Sequence, residues 1–134
     1  MNKQQYMSLL VRVVFGFMFF YHGLVKFQGG ISNIVAYFDS LGLPGGLAYA
    51  IAIIELVGGL LLILGLGTRI IGAIFAIIMV GAIFTAKLPL GLFGDGTYAG
   101  YELEIIYLVL GIYYIFAQRS KFSLDNVFSK SKAA

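Results

Sequence analysis

The chain has 134 residues, of which 60% are hydrophobic and only 11% are charged. A soluble globular domain carries roughly 25% charged residues, so this composition excludes an ordinary water-soluble enzyme. It indicates a protein that resides in a lipid bilayer. The absence of cysteine and the presence of a single histidine exclude disulfides, iron–sulfur clusters, cysteine zinc sites and bis-histidine haem, and we expect no metal or haem.

Four stretches approach the roughly 20 apolar residues that cross a hydrocarbon core: residues 5–27, 46–67, 69–88 and 98–117. The first has no small-residue cleavage site of the kind that ends a secretory signal, so it is expected to be retained as a span. We predict an all-α fold, an integral membrane four-helix bundle that forms one domain over residues 1–134. A tail of residues 118–134 follows the last span.

The loop between the first two spans has a helical pattern of its own. Ser32 is placed to cap a helix, and apolar residues follow at helical spacing: Ile34, Val35, Tyr37, Phe38 and Leu41. This pattern predicts a short amphipathic helix that lies in the outer membrane interface.

The basic residues favour one side of an even-numbered bundle, the side of both termini: Lys3, Arg69, Arg119, Lys121, Lys130 and Lys132. Only Lys26 and Lys87 fall at the opposite ends of their spans. The positive-inside rule therefore predicts a multi-pass protein with both termini in the cytoplasm. The net charge of +3 is explained by this orientation, and nucleic acid is not an expected partner.

Several ionisable residues lie inside or beside the predicted spans. On the first helix one stripe holds Arg12, Phe19 and Lys26, with His22 at its edge. Glu55 lies halfway through the second span, and small residues share its face, so it is expected to face a neighbouring helix rather than lipid. Glu102 and Glu104 are two residues apart and point to nearly opposite sides of the fourth span, so at most one of them faces the same cavity.

Simpler roles for these residues remain open. Arg12 could reach the cytoplasmic interface or pair with Glu55 only to fix the helix register. Lys26 and Lys87 are best explained as markers of helix ends, and His22 could bond a backbone carbonyl at the interface. Glu102 could be a solvated helix-start carboxylate. A di-iron site is disfavoured, because the chain has no Glu-x-x-His motif.

The ordered motifs R…HG…K, E…GG…LGLGTR, YEL and SLD, from about residue 9 to residue 125, resemble the DoxX family of small bacterial membrane proteins. The resemblance implies a four-helix bundle in the bacterial cell membrane, an oxidoreductase name and a link to quinone, catechol and thiol-stress defence. The positions that match the family motifs are Arg12, His22, Gly23, Lys26, Glu55, Gly58, Gly59, Gly65, Thr68, Arg69, Glu102 and Asp125.

We expect the chain to bind a quinone or another small aromatic ligand in the outer half of the bundle. The candidate catalytic residues are Glu55, His22, Glu104 and Arg12, and the candidate ligand-binding residues are Lys26, Phe19, Glu102, Tyr98 and Tyr101. Electrons would come from a bound partner, such as a soluble oxidoreductase, or from a bound cofactor, because the chain encodes no carrier. A transporter for small aromatic compounds, a membrane anchor for an oxidoreductase subunit and a homo-oligomer are further possibilities.

Overall fold

In a lipid bilayer, long apolar segments must satisfy their backbone hydrogen bonds internally, and a helix does so within a single segment. The computed structural model describes residues 1–133, with side chains up to residue 129, and contains no strand in that range. The helices are α1 (Lys3–Gln28), α2 (Ile31–Ser40), α3 (Gly46–Leu64), α4 (Thr68–Ala82), α5 (Glu102–Phe116) and α6 (Leu124–Ala133). The all-helical prediction is confirmed for the described residues.

Three helical segments in residues 1–133 are long and apolar enough to cross a membrane. They are α1, α3 and the run Thr68–Leu90, in which α4 continues into a π-helix and a short 3₁₀ turn. The fourth predicted span, 98–117, contains only the 15 residues of α5, which cover about 22 Å at 1.5 Å per residue. Residues 91–101 before it form a loop, so this helix begins later than the sequence predicts.

The short helix predicted in the first loop is present as α2, and it lies against α3 and α1. Its start differs from the prediction, because Ser32 does not cap it. The helix begins at Ile31 after Gly30, which has a φ of 95° and gives no side-chain cap. Glycine adopts this positive φ without the strain that a Cβ would cause, so the backbone itself turns the chain between α1 and α2.

Glycines bring α1 and α3 into close contact. A Cβ placed on Gly16 would lie 2.6 Å from the carbonyl oxygen of Gly59, and one placed on Gly23 would lie 2.6 Å from the backbone nitrogen of Leu56. The helices α4 and α5 meet in the same way at Gly72 and Gly111. Small residues at such crossings are the usual basis of helix packing in membranes.

An aromatic core joins the two helix pairs. Phe15, Phe19 and Phe75 are almost fully buried, and the rings of Phe19 and Phe75 stack with centroids 3.8 Å apart and an interplanar angle of 12°. Tyr107 and Tyr114 of α5 also pack against Phe15. These rings fix the arrangement of α1, α4 and α5 around one shared interior.

The residues after α5 fold back onto the turn between α3 and α4. The carboxylate of Asp125 accepts hydrogen bonds from the backbone N–H of Gly67 at 2.9 Å and of Thr68 at 3.3 Å, which caps the start of α4. The backbone N–H of Asp125 donates to the carbonyl of Gly65 at 3.1 Å. We call this side, with the start of α1 and with α6, the tail end, and the side with α2 and the loop 91–101 the loop end.

The glycine-rich loop 91–101 is held by its own hydrogen bonds. Backbone N–H groups of Tyr98 and Thr97 donate to the carboxylate of Asp95, and these bonds lower the pKa of Asp95 below its ordinary value. The backbone N–H groups of Tyr101 and Glu102 donate to the carbonyls of Gly91 and Leu92. The loop is therefore a folded turn at the loop end, next to the start of α5.

Candidate functional site

A cavity of about 710 Å³ lies at the loop end, between α1, α3, α4 and α5, with α2 along one side. Most of its wall is aliphatic or aromatic, and the histidine, lysine and carboxylate residues in that wall are His22, Lys26, Glu55, Lys87 and Glu104. A mostly apolar pocket with a few converging polar groups is typical of a small-molecule site. We therefore treat this cavity as the candidate functional site and call it the loop-end cavity.

An ion pair between Lys26 and Glu55 forms one wall of the loop-end cavity. The Lys26 Nζ atom lies 2.7 Å from both carboxylate oxygens of Glu55. The Glu55 side chain is only 5% exposed, whereas that of Lys26 is 24% exposed. The partner of Glu55 is therefore Lys26 and not Arg12, and Lys26 does more than mark the end of a helix.

A second, looser pair faces the same cavity from the π-helix after α4 and from α5. The Lys87 Nζ atom lies 3.8 Å from Oε1 of Glu104 and 3.1 Å from the carbonyl oxygen of Ala99, to which it donates. The other carboxylate oxygen of Glu104, Oε2, is buried and has no hydrogen-bond partner among the described residues. A buried carboxylate oxygen without a donor is costly, so this atom is free to accept a proton or a hydrogen bond from a ligand.

His22 and two aromatic rings complete the site. His22 is exposed on α1 and lines the cavity. Its ring and that of Tyr107 are nearly perpendicular, with a centroid distance of 6.1 Å and an angle of 78°. Phe19 lines the cavity one turn away, at the edge of the aromatic core. An imidazole beside flat apolar rings suits a ligand that is itself flat and carries polar oxygens.

The structure brings five of the predicted site residues together in the loop-end cavity: His22, Glu55, Glu104, Lys26 and Phe19. Glu102, Tyr98 and Tyr101 do not line it; Glu102 and Tyr98 are exposed and Tyr101 is half-buried beside the loop. Arg12 lies at the tail end, where it donates to the carbonyl of Phe122 at 2.8 Å. Arg12 therefore does not line the loop-end cavity with the other candidate catalytic residues.

Sequence reasoning missed Tyr107 and treated Lys87 only as a helix end. Tyr107 follows Glu104 by three residues, which places both on one face of α5, and this spacing could have found it. Nothing in the sequence indicates that the apolar face of α2 covers the cavity. Among the described residues, no group of three or more histidine, cysteine or acidic side chains is placed to hold a metal ion.

Comparison with known proteins identifies the relatives of the chain. The DoxX family profile matches residues 7–88. A Bacillus subtilis protein named "Putative oxidoreductase CatD" is 41% identical over 133 residues, which cover 98% of this chain and 95% of the relative. An uncharacterised protein of Haemophilus influenzae is 32% identical over 130 residues, which cover 93% of this chain and 92% of the relative. No solved structure gives a significant match. The chain is a member of the DoxX family.

Proposed function

We propose that the loop-end cavity binds a quinone or a catechol-like molecule and that the protein acts in its reduction or detoxification. The observation that supports this most directly is the shared location of His22, Glu104 and the Lys26–Glu55 pair in one mostly apolar cavity. The name of the Bacillus subtilis relative, an oxidoreductase, favours a redox role over a purely structural one.

The residues of the cavity fit the two parts of such a ligand. The rings of Phe19 and Tyr107 and the aliphatic wall suit a flat ring, because aromatic faces and edges pack well against one another. His22 and the Nζ of Lys26, one turn apart on α1, supply donors for ring oxygens. The unpartnered Oε2 of Glu104 suits a hydroxyl of the reduced form, which donates a hydrogen bond that the oxidised form lacks.

Reduction of a quinone to a hydroquinone takes up two electrons and two protons. We assign the protons to Glu104 and His22, which line the cavity and can each exchange a proton with a ring oxygen. Lys26 holds Glu55 in place and contributes positive charge where the ring oxygens gain negative charge. The two electrons are assigned to a soluble oxidoreductase partner, because the chain has no cysteine from which a dithiol or iron–sulfur carrier could be built.

The lack of cysteine also suits exposure to quinones. Thiolates are the strongest nucleophiles among side chains, and they add to electrophilic quinone rings. A protein with no cysteine has no thiol to lose in this way while it handles such compounds. This observation is consistent with a role in quinone or thiol-stress defence.

The same proposal includes the topology. We infer that α5 crosses the membrane as a fourth, short span and that both termini lie in the cytoplasm of a bacterial cell. The distribution of basic residues supports this orientation, and the loop-end cavity then lies toward the outer leaflet. Helix tilt or local thinning of the bilayer accommodates a short span at a modest cost.

His22→Ala and Glu104→Gln are expected to weaken binding of menadiol, the reduced form of menadione, by about tenfold each, the effect of losing one hydrogen bond in a largely dry cavity. Isothermal titration calorimetry on protein in a neutral detergent measures the dissociation constants. The same variants are expected to lose protection of cells against added menadione, while their abundance in the membrane is unchanged.

Glu102→Gln is the matched control, because Glu102 lies two residues from Glu104 on the same helix but is exposed outside the cavity. Its binding constant is expected to change less than twofold. Binding by the His22 and Glu104 variants that equals wild-type binding would contradict the proposed site.

A transporter for small aromatic compounds is the second candidate, and the π-helix Ile83–Lys87 favours it. Its residues Thr85, Ala86 and Lys87 line the cavity, and such segments are frequent at functional sites because they interrupt regular helix packing. Flux of an aromatic substrate into proteoliposomes without any electron donor would support transport. Turnover that requires a donor would support catalysis.

A further inference from the structure

A second cavity, of about 450 Å³, lies at the tail end of the molecule. The aromatic core separates it from the loop-end cavity: Phe19 lines the first, and Tyr114, which packs on the other side of Phe15, lines the second. We call it the tail-end cavity. Of the candidate catalytic residues predicted from the sequence, only Arg12 lines it, and none of the residues that the proposed function assigns to the quinone does.

The wall of the tail-end cavity is strongly basic. Arg12, Arg69 and Arg119 line it from three separate parts of the chain, and Asp125 is the one acidic residue in the described lining. The formal charge of that lining is therefore 3 − 1 = +2. Asp125 accepts hydrogen bonds from the backbone N–H groups of Gly67 and Thr68, and this single carboxylate cannot neutralise three guanidinium groups.

Arg12 is the most informative residue of the group, because it is only 4% exposed. One of its nitrogens donates to the carbonyl of Phe122, whereas its Nε has no acceptor among the described residues. Neither ion pair found in the described part of the chain includes Arg12. A buried guanidinium with an unsatisfied N–H is costly, and an anion in the adjoining cavity would offset that cost.

The backbone around Arg12 is built to make room for it. A Cβ on Gly65 would lie 2.9 Å from the guanidinium carbon of Arg12, so only glycine fits there. Gly65 also has a φ of 72° as the C-cap of α3, and its carbonyl accepts from the N–H of Asp125. The α3–α4 turn and the tail together hold the buried arginine at the wall of the cavity.

We propose that the tail-end cavity binds a phosphate group. Guanidinium groups present planar, paired N–H donors that match phosphate oxygens, and three of them converge here rather than three lysines. Hydroxyl donors from Ser8, Thr68 and Ser120 are available in the same wall. The phosphate comes either from a phospholipid headgroup of the adjacent leaflet or from a soluble phosphate compound, and both would be recognised by the same side chains.

The test compares three probes on the full-length protein in a neutral detergent: inorganic phosphate, short-chain phosphatidylglycerol and short-chain diacylglycerol, which has no phosphate. Isothermal titration calorimetry is expected to show binding of a phosphate-bearing probe and no binding of diacylglycerol. Binding of phosphatidylglycerol alone identifies a lipid headgroup site. Binding of inorganic phosphate identifies a site open to soluble compounds.

Arg69→Gln and Arg119→Gln are exposed substitutions that leave the buried Arg12 in place, and each is expected to weaken binding about tenfold through loss of charge-assisted hydrogen bonds. Lys121→Gln is the matched control, because it removes the same charge from the tail outside the cavity lining. Its effect is expected to stay below twofold.

Absence of binding by both phosphate probes, or an equal loss in all three variants, would overturn the proposal. Glu104→Gln should leave phosphate binding intact, which separates this site from the quinone site.

Discussion

Replacement of Gly59 by alanine is expected to destabilise the protein by about 2 kcal/mol or more, the range for forcing extra atoms into a packed interior. A Cβ at this position would lie 2.5 Å from the carbonyl oxygen of Gly16 and would also meet the backbone nitrogen of Phe20. Both are backbone atoms, which cannot rotate away as a side chain can. The two helices α1 and α3 must therefore separate, and the Lys26–Glu55 pair that joins them must lengthen.

Gly46→Ala is the matched control within the same helix. Gly46 begins α3, and a Cβ placed there meets nothing within 4 Å. Because alanine is about 1 kcal/mol better than glycine inside a helix, this variant is expected to be neutral or slightly more stable. Thermal unfolding in a mild detergent, followed by circular dichroism, measures both variants. An unchanged melting temperature for Gly59→Ala would contradict the proposed close contact.

The sequence predicts this part of the fold well, because small residues on a span indicate where another helix can approach. It does not predict which helix approaches, since small residues are found on several spans. The contacts fix that choice: Gly16 meets Gly59 and Gly23 meets Ala52, so the paired numbers sum to 75 in each case. This constant sum defines an antiparallel register for α1 and α3.

The register explains why Glu55 pairs with Lys26 and not with Arg12. Glu55 lies level with Phe20, so Lys26 is six residues away on one side, about 9 Å, and Arg12 is eight residues away on the other, about 12 Å. Direction matters more than distance. Side chains on a helix lean toward its N-terminus, so Lys26 leans from the loop end toward Glu55, whereas Arg12 leans away from it toward the tail end.

The residues that line each cavity are harder to predict from the sequence than the helices are. The charged residues within the spans are unusual, because each is costly in a membrane interior. Their grouping depends on register and on the later return of the tail to the α3–α4 turn, neither of which has a local signal. Arg12 is the clearest case, because its hydrogen-bond partner, the carbonyl of Phe122, is 110 residues away in the chain.

The second large effect is expected when the Lys26–Glu55 pair is broken from one side. Lys26→Met leaves the Glu55 carboxylate, which is 5% exposed, without its counter-charge, and loss of one partner of a buried pair typically costs about 3–5 kcal/mol. Glu55→Met leaves the Lys26 ammonium without its counter-charge. The loss of stability is expected to be somewhat smaller, because the Lys26 side chain is 24% exposed and reaches water. By contrast, Lys87→Met breaks a longer pair, at 3.8 Å, whose carboxylate on Glu104 is more exposed than that of Glu55. This substitution is expected to cost less than about 1 kcal/mol.

The double variant Lys26→Met/Glu55→Met separates stability from function. Replacing both charges by apolar groups leaves neither stranded, so most of the stability is expected to return, with a coupling free energy of about 2 kcal/mol or more in a double-mutant cycle. Unfolding in detergent measures the four proteins of that cycle. The double variant is nevertheless expected to lose binding of menadiol, because it lacks the ammonium that is proposed to donate to the ring oxygens. Additive losses of stability would show that the two side chains do not act as a pair, and full ligand binding by the double variant would show that the pair serves the fold alone.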